Sequence, residues 1–169
     1  MALEIERKFW VNADFKSYAT SCSHIIQGYI CSERGRTVRV RIRDHKGYLT
    51  IKGPSDKEGL VRYEFEKKIS GEDANALIQL CEPGIIDKKR YLVPYEGHLF
   101  EVDEFYGENT GLVMAEVELT SIDEFFYKPA FLGKELTGDR RFYNSQLRAN
   151  PFTLWGAEFI ASLEGETIG

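Results

Sequence analysis

The chain has 169 residues, 43 % of them hydrophobic and 29 % charged, with Gly 15 and Pro 5. That balance suits one globular domain with its own core and excludes collagen-like and disordered readings. A formal net charge of −5 excludes a protein that grips nucleic acid through its bulk field.

In chain order, alternation of period two predicts a first strand at 3–10, with Glu4, Glu6 and Lys8 on one face. Asn12 then offers an N-cap for a helix over 13–22. A second strand, 24–32, sets Gln27 and Tyr29 together. The third, 36–44, reads Arg39, Arg41 and Arg43 against Val38, Val40 and Ile42. Lys46-Gly47 marks a turn into the fourth, 47–53, with Thr50 and Lys52 opposite Leu49 and Ile51. The fifth, 59–69, follows Gly53-Pro54 and carries Arg62, Glu64 and Glu66. Ser70 caps a helix over 72–82, which stops before Pro83-Gly84. The sixth strand, 85–93, supplies Lys88 and Arg90. The seventh, 98–106, supplies Glu101 and Asp103, and the eighth, 112–120, supplies Glu116 and Glu118. A helix over 138–148 and a shorter one near 155–163 complete the pattern.

A single antiparallel strand with one charged face is ordinarily half-solvated. The whole set is harder to explain that way. Six of the eight strands carry two or three charges on one face, and the signs are sorted by strand. The third, fourth and sixth are basic, whereas the seventh and eighth are acidic. A solvated sheet gains more from opposite charges on neighbouring strands than from like ones. Sorted like charges repel each other, and costs of that kind concentrate at sites.

An eight-stranded barrel resolves the geometry, since its interior is wide enough for side chains or one small ligand. With the charged face inward, the interior holds Lys8, Arg39, Arg41, Arg43, Lys52, Arg62, Lys88 and Arg90. It also holds Glu4, Glu6, Glu64, Glu66, Glu101, Asp103, Glu116 and Glu118. Guanidinium forks and ammonium groups suit phosphate oxygens. Carboxylates suit Mg²⁺ or Mn²⁺. A linear polyphosphate with bound metal fits both halves, and hydrolysis of a phosphoanhydride needs no further cofactor.

Glu4-Ile5-Glu6-Arg7-Lys8 forms an ExExK signature on the first strand. It is followed in order by QGYI (27–30), TVRVRIR (37–43), YLTIKG (48–53), RYEFE (62–66), KKRY (88–91), FEVDEFYGENTGLVMAEVEL (100–119) and LGKELTGDRRFYN (132–144). Over residues 1 to about 152 the chain resembles short bacterial members of the CYTH superfamily, the triphosphate tunnel metalloenzymes. The resemblance implies an α+β, mainly antiparallel β fold: an eight-stranded closed β-barrel, or tunnel, with helices packed outside. The whole of 1–169 then reads as a single CYTH-like domain, with 152–169 outside the alignable part, there either to close one end of the tunnel or to fray.

The same resemblance assigns Glu4, Glu6, Glu116 and Glu118 to the divalent metal, with Glu64, Glu66, Glu101 and Asp103 as further acidic tunnel positions. It assigns Lys8, Arg39, Arg41, Lys52, Arg62, Lys88 and Arg90 to the phosphates. Catalytic roles fall to Lys8 and to Tyr29, which would orient the reacting end. Arg43 lies on the same face nearer a strand end.

These residues point to a Mg²⁺- or Mn²⁺-dependent hydrolase of inorganic tripolyphosphate. Little in the tunnel pattern supplies an aromatic or amide pocket for a base. The competing readings are a class IV adenylate cyclase, a thiamine or nucleoside triphosphatase, and a non-catalytic polyphosphate or nucleotide binding module. The acidic set weighs against the last, since a pure anion binder gains nothing from carboxylates.

Cys22, Cys31 and Cys81 form no CxxC pair, which predicts reduced thiols in a cytoplasmic protein. His24, His45 and His98 show no metal-ligand spacing. The N-terminal MALEIERKFW is charged from its fourth residue and is no secretory signal, and no apolar run approaches the roughly 20 residues of a membrane helix. Trp10 and Trp155 are expected to pack on the outer face. The partner is a small-molecule triphosphate, with neither nucleic acid nor membrane, and a two-fold homodimer is the default assembly.

Overall fold

The structure, a computed structural model, describes residues 3–168. Nine strands form one antiparallel sheet: β1 (Leu3–Val11), β2 (Ser21–Glu33), β3 (Arg36–Arg43), β4 (Lys46–Ser55), β5 (Val61–Ile69), β6 (Ile86–Tyr95), β7 (His98–Phe105), β8 (Val113–Glu118) and β9 (Leu132–Glu135). The order is β5-β4-β3-β2-β6-β7-β8-β1-β9, and a further β5–β1 pairing closes eight of them into a barrel.

The closing seam is short. Only Leu3↔Tyr63, Glu4↔Arg62 and Ile5↔Val61 pair β1 with β5. Further along the same edge, β9 takes over at Phe9↔Glu135 and Val11↔Leu132. β9 was not expected: its four residues, LGKE, carry no alternation, and the edge of β1 beyond the seam is what makes them a strand. Closure removes the free edges of an open sheet and fixes which face is interior.

Two apolar clusters flank the charged interior. The first lies outside the barrel, where Phe9, Phe100, Val102, Ala115 and Val117 are covered by Phe15 and by Phe126 and Phe131. The Phe15 ring meets Tyr91 edge-on at 5.3 Å. The second cluster plugs part of one barrel end, on the side of β6, β7, β8 and β1. Trp10, Ile86, Phe105 and Met114 from the strands meet Phe142, Leu147, Phe152 and Phe159 from the C-terminal segment.

Helix α1 (Gly71–Ile78) is capped as expected, with the Ser70 hydroxyl accepting from the Asp73 N–H. It packs on β4 so closely that a Cβ at Gly47 would lie 2.6 Å from that of Ala74. Helices α2 (Asn144–Leu147) and α3 (Gly156–Ile168) belong to the plug. Among the described residues only α1 therefore lies against the barrel wall, and the other two cover the β6, β7, β8 and β1 side of one end.

The helix expected over 13–22 is instead a 3₁₀ turn at Lys16–Tyr18. The Asp14 carboxylate accepts from the Lys16 N–H and the Ser17 hydroxyl, folding the segment locally. β2 begins already at Ser21 because Thr20 and the residues after it join β6. The helix expected over 138–148 is broken into a 3₁₀ turn, Arg140–Phe142, and the single turn of α2. Trp10 is also a correction. It shares the inward parity of Glu6 and Lys8 and stacks on Phe152 at 5.9 Å, inside the plugged end. Trp155 packs edge-on against Phe142 in that plug, not on the outer wall. No helix among the described residues is long and apolar enough to cross a membrane.

Candidate active site

The barrel axis carries three adjoining spaces. A mouth of 180 Å³ is lined by Glu4, Glu6, Glu64, Glu66, Glu101, Glu116 and Glu118, with Arg39, Arg41, Arg43, Lys52 and Arg90. A waist with only 40 Å³ of free space is lined by Lys8, Tyr29, Arg39, Arg41, Lys52, Arg62, Lys88 and Arg90, with Glu6 and Glu116. Beyond it, between the β2–β3 and β4–β5 hairpins, lies a chamber of 270 Å³. The structure thus brings together every charged residue singled out from the strand pattern except Asp103, which lines none of these spaces.

Asp103 is instead the waist's internal counterion. Its carboxylate takes the Arg90 guanidinium at 2.8 Å through both oxygens, and the Lys88 ammonium at 2.7 Å. Burial would raise its pKa, but Arg90 and Lys88 outweigh burial and hold it at about 2. With both oxygens spent, Asp103 orients the two cations.

The waist holds more positive charge than its carboxylates neutralise. Burial, with Arg39 and Arg90 beside it, lowers Arg41 to about 9. Burial is also the main cause that lowers Lys88 to about 7; Asp103 opposes it, and Arg90 and Arg41 reinforce it. The Nε of Arg39 is buried without a hydrogen-bond partner. A buried unpaired donor is costly, and crowded cations are relieved by an anion. An anionic ligand with several oxygens fits this lining.

The mouth shows the mirror image. Burial, Glu116 and Glu4 push Glu6 well above the usual carboxylate range. Glu116 is held well below it: burial opposes this, but Lys8 and a hydrogen bond with Glu6 prevail. A second pair behaves alike. A hydrogen bond to Glu4, then burial, raises Glu64 to about 7, while Lys52 outweighs burial and holds Glu4 at about 2. In each pair one carboxyl is raised and its partner lowered, so a proton shared by the pair is held more tightly than on an ordinary carboxylate. Burial and its neighbours Glu4 and Glu101 raise Glu118 as well.

These all-oxygen donors are of the kind a hard divalent cation takes. The ammonium of Lys52 stands in for one, 2.9 Å from Glu4 and 3.3 Å from Glu64. Among the described residues no three acidic, His or Cys side chains converge in metal-ligand geometry. The carboxylates spend their oxygens on Lys52, on Lys8 at 3.6 Å from Glu116, and on each other. The donor chemistry fits a cation that displaces the shared protons.

Sequence reasoning missed Tyr143, Asn144 and Ser145 in the waist lining. Asn144 Oδ1 accepts from Lys88 Nζ at 3.0 Å and from Gln27 Nε2 at 3.1 Å, and Gln27 Oε1 accepts from Arg41 Nε at 2.9 Å. This short relay fixes two waist cations against the C-terminal segment. The Tyr143 ring has Lys8, Arg62 and Arg140 around it at 5.2–5.5 Å, within cation–π reach. No periodicity marks these residues, because the chain returns to the tunnel through a turn. Thr37, also missed, follows from the alternation that selects Arg39. The histidines lie outside the tunnel lining: His24 pairs with Asp87, and His98 with Glu124.

The chain matches the CYTH domain family over residues 2–145. It is 47 % identical over 154 residues to an inorganic triphosphatase of Acetivibrio thermocellus, covering 90 % of this chain and 97 % of that protein. It is 34 % identical over 149 residues to an inorganic triphosphatase of Nitrosomonas europaea, covering 85 % and 95 %. The crystal structure of the inorganic triphosphatase NE1496 superposes with a TM-score of 0.63 at 30 % identity, covering 88 % of this chain and 95 % of that one.

Proposed function

The chain belongs to the CYTH family, and on that premise we propose that it hydrolyses inorganic tripolyphosphate to pyrophosphate and orthophosphate, using Mg²⁺ or Mn²⁺. The observation that carries this reading is the polarity of the tunnel. A waist with an excess of buried cations, including the unpartnered Arg39 Nε, adjoins a mouth of seven carboxylates set in close pairs. The two high-identity relatives named as inorganic triphosphatases support the choice of substrate.

Arg39, Arg41, Lys52, Arg62, Lys88, Arg90 and Lys8 bind the phosphate oxygens and neutralise charge that builds on the transferring phosphoryl group. Asp103, Gln27 and Asn144 hold the waist cations at fixed positions, so little reorganisation accompanies reaction. Glu4, Glu6, Glu64, Glu116 and Glu118 would hold the divalent metal, with Glu66 and Glu101 at the rim. When bound, that ion supplies a water of lowered pKa and further charge neutralisation. To hold it, the raised carboxyls Glu6 and Glu64 would have to be ionised. Tyr29 lines the waist beside Arg41 and orients the terminal phosphate.

We read 1–169 as one CYTH-like unit. Three free cysteines support a reducing, cytoplasmic setting. The test is product analysis with Mg²⁺ or Mn²⁺ on tripolyphosphate, pyrophosphate, ATP and thiamine triphosphate. Phosphate released fastest from tripolyphosphate is the expected result. Cyclic AMP with pyrophosphate from ATP would make the protein a cyclase.

A further inference from the structure

The chamber behind the waist has a use that phosphate binding in the waist leaves unexplained. It shares Thr37, Arg62, Tyr143 and Ser145 with the waist, so the two spaces adjoin. Its lining sets Arg34, Lys57, Arg62 and Arg140 against a single carboxylate, Asp56. That carboxylate is already engaged, accepting from the N–H groups of Leu60 and Val61.

Among the described residues Arg34 and Lys57 have no side-chain partner, and Arg140 meets only the Tyr143 ring. The mouth at the opposite end has the reverse balance, with seven carboxylates and five cations. Arg34 and Lys57 are exposed to solvent, and cations clustered around one opening of an acidic protein make a local positive field that draws in an anion.

The chamber wall is also held in place. The β4–β5 hairpin touches the turn after β9 through two glycines of positive φ, Gly59 at +75° and Gly138 at +81°. A Cβ at Gly59 would lie 2.5 Å from the Gly138 Cα, and one at Gly138 would lie 2.7 Å from the Glu58 carbonyl oxygen. Only glycines allow that approach. The contact holds Lys57, on the hairpin tip, across from Arg140.

We propose that the triphosphate enters the tunnel through this chamber, captured by Arg34, Lys57 and Arg140, while the divalent cation enters through the carboxylate mouth at the other end. This rests on the triphosphatase reading and deepens it: the two co-reactants approach from opposite sides of one barrel. A carboxylate mouth attracts a cation and repels a polyanion, and a cationic opening does the opposite. Fields of this kind raise association rates by about 10–10³ and weaken with salt.

The test measures association of ³²P-labelled tripolyphosphate without divalent cation, by rapid filtration, so that capture is read whether or not hydrolysis follows. The variant Arg34→Gln/Lys57→Gln removes two chamber charges. Lys67→Gln/Lys68→Gln removes two exposed charges near the far end of β5. The chamber variant is expected to associate about fivefold more slowly or worse, with a flatter salt dependence. Its kcat in Mg²⁺ is expected to stay unchanged, and the control is expected to match the parent. Equal association rates for chamber variant and parent, or a loss confined to the control, would overturn the proposal. A parent that captures tripolyphosphate but does not cleave it once Mg²⁺ or Mn²⁺ is added would defeat the triphosphatase reading and leave the entry route standing. A parent that captures none without cation would overturn the entry route, whatever hydrolysis follows once cation is added.

Discussion

Lys52 on β4 reaches past β5 to place its ammonium 2.9 Å from the carboxylate of Glu4 on β1, spanning the seam where the barrel closes. The same ammonium lies 3.3 Å from Glu64. One side chain thus joins the weakest part of the barrel wall, the carboxylate mouth and the cationic waist. Lys52→Ala is expected to weaken tripolyphosphate binding by about 1.5–3 kcal/mol, the range for a hydrogen bond to a charged group. Metal-free equilibrium binding reads this, and an unchanged affinity would remove Lys52 from the phosphate set.

The shared protons at the mouth give a pH dependence with a definite sign. Glu64 titrates at about 7, and Glu6 is also raised. Below that region each pair must expel a proton before a cation can use both carboxylates. The Glu64 pair should therefore make apparent Mg²⁺ affinity rise with pH through about 7, with a slope of up to about tenfold per pH unit for the proton released. Calorimetry in buffers of different ionisation enthalpy measures the proton count. A pH-independent affinity with no proton release would contradict the shared-proton arrangement.

Gly59 and Gly138 make the chamber wall possible, so Gly59→Ala should show its effect there. The φ of +75° is unfavourable for alanine, and its methyl would collide with the Gly138 backbone. A loss of about 1–3 kcal/mol in stability is expected, with faster amide exchange at 55–60 and 137–139. Wild-type exchange at both segments would show that they do not depend on each other.

The plug is held chiefly by aromatic contacts. Phe159 on α3 meets Trp10 edge-on at 5.1 Å and Phe142 at 5.0 Å. Phe159→Ala should cost about 3–5 kcal/mol and lower the Tm by on the order of 10 °C. A Tm within about 2 °C of the parent would mean that α3 is not part of the cooperative unit.

The charged interior was legible because a strand reports its two faces directly in sequence. Arg39, Arg41, Glu64, Glu66, Glu116 and Glu118 reach the tunnel by parity alone. The same rule could not separate Asp103 from Glu101. Both face inward, and only the register opposite Arg90 shows that Asp103 is spent on Arg90 and Lys88. Trp10 obeys parity too, but its bulk suggested the outer wall because nothing in the strand announces a plug arriving from residues 142–159. Asn144 and Tyr143 were hidden for a related reason: a turn, with no period, carries them to the waist. The helix expected over 13–22 fails because Asp14 bonds locally and Phe15 is drawn to the outer core.

The most direct measurement is ³¹P NMR of tripolyphosphate with Mg²⁺, comparing the parent protein with Glu6→Gln. That substitution keeps the shape of a side chain already raised far above its usual pKa, so folding should survive, and circular dichroism checks it. The account predicts pyrophosphate and orthophosphate in equal amounts from the parent. Glu6→Gln is predicted to slow the reaction by at least about 100-fold, since a lost ligand should exceed the 10–100-fold of its outer partners. Undiminished hydrolysis by Glu6→Gln would contradict the role of the mouth carboxylates. Tripolyphosphate held by the parent but left intact would contradict catalysis itself.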